Sequence, residues 1–99
     1  MTLQIEVDQA KIADFCRRHN VRHLSFFGSV TRDDFGPASD VDVLVEFEEG
    51  KTPGLGFFAM ERELTQIVGR TVDLNTPGFL GRRILRRVRP EVVDAYVEA

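Results

Sequence analysis

The chain has 99 residues, 42% of them hydrophobic, and a formal charge of −3 at pH 7. This length predicts one domain over residues 1–99 with a single core, and the acidic balance argues against a general nucleic-acid binder, which needs clustered Lys and Arg. The single cysteine, Cys16, argues against an internal disulfide and a thiolate metal cage, and no apolar run is long enough for a membrane span or a signal peptide, so we expect a soluble cytoplasmic protein.

The periodicity of apolar residues predicts alternating helices and strands. In chain order we expect a helix over about 9–19, strands over 23–27 and 40–48, a helix over 55–68, a strand over 71–75 and a helix over about 78–88. Asp8 and Thr76 are typical helix caps, and Asn20 is a typical left-handed terminator. The strand over 40–48 is the most apolar, which predicts a central position in the sheet. The tail, "EVVDAYVEA", fits either an edge strand or a last helical turn.

Acidic and basic residues are separated along the chain. Residues 33–49 contain seven acidic side chains and no basic one, whereas 82–89 contain five arginines and no acidic residue. The helix over 78–88 is expected to bury Leu80, Ile84, Leu85 and Val88 and to expose the arginines. Five like charges within eight residues repel each other, so this face fits simple solvation, contact with an acidic partner protein, or contact with an RNA bound by that partner.

Two aspartates lie two residues apart in the most apolar predicted strand. Side chains at this spacing leave the same face of a strand, with Cα atoms about 6.6 Å apart, so Asp40 and Asp42 are expected to converge on one site. Paired carboxylates repel unless a cation lies between them, and hard oxygen ligands suit Mg²⁺. Asp73 lies on the predicted strand 71–75. If this strand neighbours 40–48, the three carboxylates can hold two Mg²⁺ ions in a phosphoryl-transfer centre.

A Gly-Ser pair lies where the predicted strand 23–27 ends. Gly28 lets a phosphate group approach the backbone, and the amides that follow, together with the Ser29 hydroxyl, are donors for it. Arg32 follows one turn later and adds a charged donor to the polyphosphate. Ser39, which a loop delivers to the start of the next strand, completes the candidate nucleotide-binding residues.

Two segments together resemble the minimal nucleotidyltransferases (MNT type) of the DNA polymerase β-like superfamily: "FGSVTRDDFGPASDVDVLVEF" and "TPGLGFFAMERELTQIVGRTVDLNTP". The resemblance covers roughly residues 10–97. It implies an α/β (α+β) fold with a small mixed sheet of three to four strands flanked by helices. It also implies transfer of AMP from ATP to an acceptor hydroxyl. Asp40 and Asp42 would bind both Mg²⁺ ions, and Asp73 would hold the catalytic ion and help to deprotonate the attacking hydroxyl.

The resemblance also implies a partner. Many similar members are antitoxins of HEPN-domain toxins, and some add AMP to a tyrosine of the toxin, so a HEPN-type toxin is the expected acceptor. No membrane and no direct nucleic-acid contact are expected, and homo-oligomerisation is left open. Many relatives have a glycine after the motif arginine, where this chain has Asp33 and then Asp34. These acids keep an alternative open, a catalytically silent antitoxin that neutralises its partner by binding alone.

Overall fold

The computed structural model describes residues 3–98, and its elements follow the predicted order. They are α1 (Gln9–Arg18), β1 (Val21–Phe27), β2 (Val41–Phe47), α2 (Gly56–Val68), β3 (Val72–Asn75), α3 (Pro77–Val88) and β4 (Val93–Val97). Short 3₁₀ helices, Gly28–Thr31 and Arg89–Glu91, directly follow β1 and α3. The predicted helices and strands are confirmed with small shifts at their ends, and the tail forms a strand.

The four strands of the described residues form one mixed sheet in the order β3-β2-β1-β4. β1 is antiparallel to β2 and to β4, whereas β3 is parallel to β2. A parallel pair needs a crossover connection, and α2 supplies it between β2 and β3. The predicted small mixed sheet is confirmed, and β2 is internal, as its apolar sequence predicts.

The sheet separates two apolar clusters because side chains alternate between its faces. One face packs against α1 and α2 and forms the main core, in which Val43 of β2 and Phe15 of α1 are fully buried. The other face is covered in part by α3, where Leu44 of β2 packs with Phe27 and Val88. Because α3 covers only part of this second face, room remains on it for a site.

The ends of the helices are fixed by the residues that the sequence singled out. The Asp8 carboxylate accepts a hydrogen bond from the Lys11 amide at 3.1 Å, and the Thr76 hydroxyl accepts one from the Phe79 amide at 3.2 Å. Asn20 has a φ of 58°, in the left-handed region. The predicted caps of α1 and α3 and the terminator of α1 are therefore confirmed.

The apolar face predicted for α3 is wrong at one position. Gly81 has a non-helical backbone, with φ 79° and ψ 163°, so α3 contains a kink. A kink changes the rotation between the residues on its two sides, and the helical spacing counted from Leu80 does not continue beyond it. As a result Ile84, expected in the core, is 46% exposed, whereas Val88 is buried.

The lengths of the helices bear on membrane insertion. The longest helix within residues 3–98, α2, has 13 residues, which extend about 20 Å at a rise of ~1.5 Å per residue, short of the ~30 Å apolar core of a bilayer. Across this described range, no helix combines the length and the apolar character that a membrane span requires.

The core is expected to tolerate truncation poorly at β1. Leu24 is fully buried in the centre of the sheet, whereas Leu55 is 87% exposed. Leu24→Ala should lower the free energy of unfolding by about 2–5 kcal/mol because it leaves a cavity, while Leu55→Ala should change it by less than about 0.5 kcal/mol. Urea unfolding measures both variants, and similar losses in the two would contradict the described core.

Candidate active site

Two carboxylates lie opposite each other where β2 and β3 run in parallel. Asp42 of β2 is the register partner of Asp73 of β3, so the two side chains leave the same face of the sheet, from strands about 4.8 Å apart. Asp42 is half-buried, whereas Asp73 is exposed. The condition for Asp73 to share a site with Asp42, that strand 71–75 neighbours strand 40–48, is therefore met.

The charge of Asp42 is disfavoured where it lies. Burial raises the pKa of the Asp42 carboxyl above its ordinary value, the nearby carboxylates of Asp73 and Asp40 raise it further, and Arg32 opposes the shift. Burial and like charges both act against the ionised form. A cation placed between these carboxylates would remove the repulsion, so the electrostatics of the site favour cation binding.

Asp40 does not lie on the strand that was predicted to hold it. β2 begins at Val41, whose amide donates to the carbonyl of Thr71 at 2.8 Å, and Asp40 is an exposed residue of the preceding loop. The predicted start of the strand is therefore wrong by one residue. The same-face argument from strand geometry holds for Asp42 but not for Asp40, whose position depends on the loop.

Gly28 brings the turn after β1 against Asp42. Its φ is 75°, and a Cβ atom added to it would overlap the Oδ2 atom of Asp42 and lie 3.2 Å from the Cγ atom. Phe27, the residue before it, is the antiparallel register partner of Asp42. The lack of a side chain at Gly28 therefore leaves room for the Asp42 carboxylate against the backbone. The contact of Gly28 with a phosphate stays a prediction.

The 3₁₀ helix after β1 is closed by a residue that the sequence argument did not select. The Thr31 hydroxyl is almost fully buried and donates to the carbonyl of Gly28 at 2.7 Å. The Arg32 amide donates to the carbonyl of Ser29 at 2.9 Å. These bonds give the Gly28-Ser29 turn a fixed shape, with Ser29 partly exposed. A threonine three residues after a glycine is a weak signal in a sequence.

Arg32 is engaged with acidic side chains. Its Nε donates to Asp34 at 3.2 Å and its Nη1 donates to Glu91, at the end of the second 3₁₀ helix, also at 3.2 Å. The first partner follows it closely in the sequence, but the second is distant and was not foreseen. Two of the five guanidinium donors are engaged in these bonds, so a contact with a polyphosphate would use the others or replace one of these partners.

Ser39 shapes the loop before β2. Its hydroxyl accepts a hydrogen bond from the Gly36 amide at 3.0 Å, and its amide donates to the Gly36 carbonyl at 3.0 Å. The two bonds close a turn that ends directly before Asp40. The structure thus gives Ser39 a part in the shape of the loop, and its contact with a nucleotide stays a prediction.

Arg70 is a further residue that the sequence argument missed. It lies between α2 and β3, and its guanidinium donates to three backbone carbonyls in the loop before Asp40. Nothing in its local sequence, where it follows the helix terminator Gly69, indicates this role. Only the folded chain brings it to a loop more than 30 positions earlier.

The carboxylates fit Mg²⁺ only with help from a substrate. Within residues 3–98, no three His, Cys, Asp or Glu side chains are arranged to hold a metal ion by themselves. Mg²⁺ is, however, commonly bound by one or two carboxylates together with substrate phosphates and water. The opposed Asp42 and Asp73, whose oxygens are hard ligands, meet this requirement, so the donor set suits a metal that arrives with a nucleotide.

Comparison with known proteins identifies the family. The model of the nucleotidyltransferase domain family matches residues 10–97. The chain belongs to this nucleotidyltransferase family. A candidate protein adenylyltransferase of Methanocaldococcus jannaschii, MJ0435, is 34% identical over 92 residues, which cover 93% of this chain and 98% of that protein. The protein adenylyltransferase MntA of Thermococcus cleftensis is 40% identical over 77 residues, which cover 77% of this chain and 76% of that protein.

Solved structures share the fold. A candidate minimal nucleotidyltransferase superposes with a TM-score of 0.72 at 32% identity, covering 86% of each chain. A chain from the crystal structure of a toxin-antitoxin with AMP-PNP has a TM-score of 0.73 at 16% identity, covering 92% of this chain and 74% of that one, which shows the fold alone. The expected minimal type of nucleotidyltransferase, and its enzyme class, are confirmed.

The contact between Gly28 and Asp42 can be measured against a matched glycine. Gly28 and Gly50 both have a φ of 75°, but nothing lies within 4 Å of a Cβ atom added to Gly50. Gly50→Ala should therefore cost only backbone strain, about 1 kcal/mol, whereas Gly28→Ala should cost about 2–4 kcal/mol because of the added overlap. Urea unfolding of the two variants gives the difference, and equal losses would show that the carboxylate does not lie against Gly28.

Proposed function

We propose that the protein transfers AMP from ATP to a hydroxyl of a partner protein in a Mg²⁺-dependent reaction. The observation that carries the proposal is the register of Asp42 and Asp73, beside the Gly28 turn. The family supports nucleotidyl transfer, and the protein adenylyltransferases among the relatives support AMP as the transferred group and a protein as the acceptor.

The three aspartates share one task in this reaction, and Asp73 has a second. Asp42, against the Gly28 turn, would bind Mg²⁺ together with Asp40 and Asp73, whose carboxylates add to burial in raising the pKa of Asp42. When bound, Mg²⁺ would stabilise negative charge on the attacking oxygen of the acceptor and on the leaving oxygen of pyrophosphate. Asp73 is exposed on β3, which supports a role for its carboxylate in taking the proton of the acceptor hydroxyl.

The transfer step exchanges one phosphorus-oxygen bond for another. The acceptor oxygen forms a bond to the α-phosphorus of ATP, the bond to the bridging oxygen breaks, and pyrophosphate leaves with the electron pair. The proton of the hydroxyl passes to the Asp73 carboxylate. The amides after Gly28, together with Ser29, Arg32 and Ser39, would hold the triphosphate in line with the acceptor.

Removing either opposed carboxylate should abolish the transfer. Asp42→Asn and Asp73→Asn should each reduce the rate of AMP transfer at least about 10²-fold. The first removes a charged ligand of the metal, and the second removes the carboxylate that accepts the proton of the hydroxyl. Asp94→Asn is the matched control, since Asp94 lies on β4 and is bound to His23 at 2.7 Å, and it should keep the wild-type rate.

The assay uses ATP labelled on its α-phosphate, Mg²⁺ and the purified partner. Label on the partner in wild type and in Asp94→Asn, but in neither Asp42→Asn nor Asp73→Asn, is the expected result. Full labelling by both of these variants, with folding unchanged, would contradict the mechanism.

The partner we propose is a HEPN-type toxin, with one of its tyrosines as the acceptor, so that the protein acts as an antitoxin. The solved toxin-antitoxin structure that shares this fold supports the proposal. Binding alone is the rival explanation, and the pairing of Arg32 with Asp34 and Glu91 favours it. Tight binding of the partner without label would support the rival.

The arginine face of α3 is the surface we propose for this partner. Four of the five arginines lie on α3 and the fifth begins the 3₁₀ helix that directly follows it. All five are exposed, and none forms an ion pair with another residue in the 3–98 range: Arg82, Arg83, Arg86, Arg87 and Arg89. Exposed Ile84 lies among them on the same helix. A net-acidic protein that gathers unpaired arginines around an apolar side chain suits an acidic partner surface.

Reversing charge on this face should slow association. Arg83→Glu combined with Arg87→Glu should lower the association rate about 10-fold or more in low salt, with a smaller effect at high salt, because charge complementarity acts mainly on encounter. Arg17→Glu combined with Arg62→Glu reverses two exposed charges on α1 and α2 and should have little effect. Surface plasmon resonance measures the rates, and an unaltered rate for the first variant would leave the arginine face merely solvated.

A further inference from the structure

Arg70 binds main-chain oxygens in place of a carboxylate. Its Nη2 atom donates to the carbonyls of Gly36 at 2.7 Å, Pro37 at 3.2 Å and Ser39 at 3.0 Å. Within residues 3–98 it forms no ion pair, although the chain is net acidic. Arginine is usually matched to planar anions, so an arginine that is partly buried against three carbonyls has a specific geometric task.

The contacts of Arg70 extend along the whole loop before Asp40. Its guanidinium carbon lies 4.5 Å from the centre of the Phe35 ring, a cation-π distance, at the start of the loop. The bond to the Ser39 carbonyl lies at the end of the loop. Between them, the reciprocal bonds of Gly36 and Ser39 close the turn. One side chain thus fixes both ends and the middle of the loop.

Asp40 depends on this loop because the sheet does not hold it. A backbone hydrogen bond joins the start of β2 to the residue before β3. It runs from the Val41 amide to the carbonyl of Thr71, which directly follows Arg70. Asp40 is flanked by that bond on one side and by the Ser39 carbonyl, bound to Arg70, on the other. The segment 70–71 therefore ties the loop of Asp40 to the strand that carries Asp73.

We propose that Arg70 is a positioning residue that holds Asp40 in place relative to Asp42 and Asp73. The proposal rests on the proposed function, because it takes Asp40 as one of the carboxylates that bind the metal with the nucleotide. Within residues 3–98, Arg70 itself forms no ion pair with any of these three carboxylates. Its effect passes through the loop 35–39, so losing it should weaken metal binding without removing any ligand.

The first test needs neither metal nor nucleotide. In Arg70→Met the loop loses its donor, so hydrogen exchange at the Ser39 and Val41 amides should become at least about 10-fold faster, because their bonds open locally more often. Arg62→Met is the matched control, since Arg62 is an exposed arginine of α2, and it should leave both amides within about twofold of wild type.

The second test measures Mn²⁺ binding in the presence of a non-hydrolysable ATP analogue. Arg70→Met should weaken the affinity about 10- to 100-fold, the range for loss of a residue that supports a metal ligand. Arg70→Lys keeps a charged donor but not the planar fork, so its affinity should fall between those of Arg70→Met and wild type. Thermal unfolding of the same samples identifies any general loss of fold.

The outcomes separate this proposal from the proposed function. If Asp42→Asn abolishes Mn²⁺ binding while Arg70→Met keeps wild-type affinity and wild-type exchange, the positioning role is wrong and the proposed function stands. If Asp42→Asn also keeps wild-type affinity, the metal site itself is wrong. If Arg70→Met fails to fold, Arg70→Lys and Phe35→Leu take its place in the hydrogen-exchange test. A wild-type exchange rate at the Ser39 amide in both variants would overturn the proposal.

Discussion

The parallel register of β2 and β3 is the constraint on which the site depends. It places Asp42 opposite Asp73 on the same face of the sheet. A slip of one residue in either strand would turn one carboxylate into the core and one apolar side chain into the site. The buried neighbours Val41, Val43 and Val72 prevent such a slip, so the hydrophobic core that stabilises the fold also sets the geometry of the site.

This arrangement concentrates like charge, and its surroundings accommodate it. Burial and neighbouring carboxylates raise the pKa of Asp42, while the absence of a side chain at Gly28 leaves room for its carboxylate. The kinked α3 covers only the part of the face around Leu44. The remainder stays open, as the proposed transfer of AMP to a partner protein requires.

The sequence predicted those parts of the structure that depend on local pattern. The caps at Asp8 and Thr76 and the carboxylates on β2 and β3 follow from residue type and spacing. Contacts between residues far apart in the sequence were not predicted, because spacing does not specify which loop meets which side chain. Examples are the bond of Arg32 to Glu91 and the bonds of Arg70 to the loop before Asp40. The burial expected for Ile84 was wrong because a helical period was continued through Gly81, whose backbone is not helical.

We propose that the opposed carboxylates of Asp42 and Asp73 form a metal site that a nucleotide completes. Within the described residues no three side chains hold a metal alone, so the site should change its affinity when phosphate oxygens are supplied. Calorimetric titration of Mn²⁺ into the wild-type protein, with and without a non-hydrolysable ATP analogue, measures this directly. We expect weak binding of Mn²⁺ without the analogue and binding at least about 10²-fold tighter with it, once the binding of Mn²⁺ to the analogue alone is subtracted. Equal affinity in the two titrations, or a gain that Asp42→Asn retains in full, would contradict it.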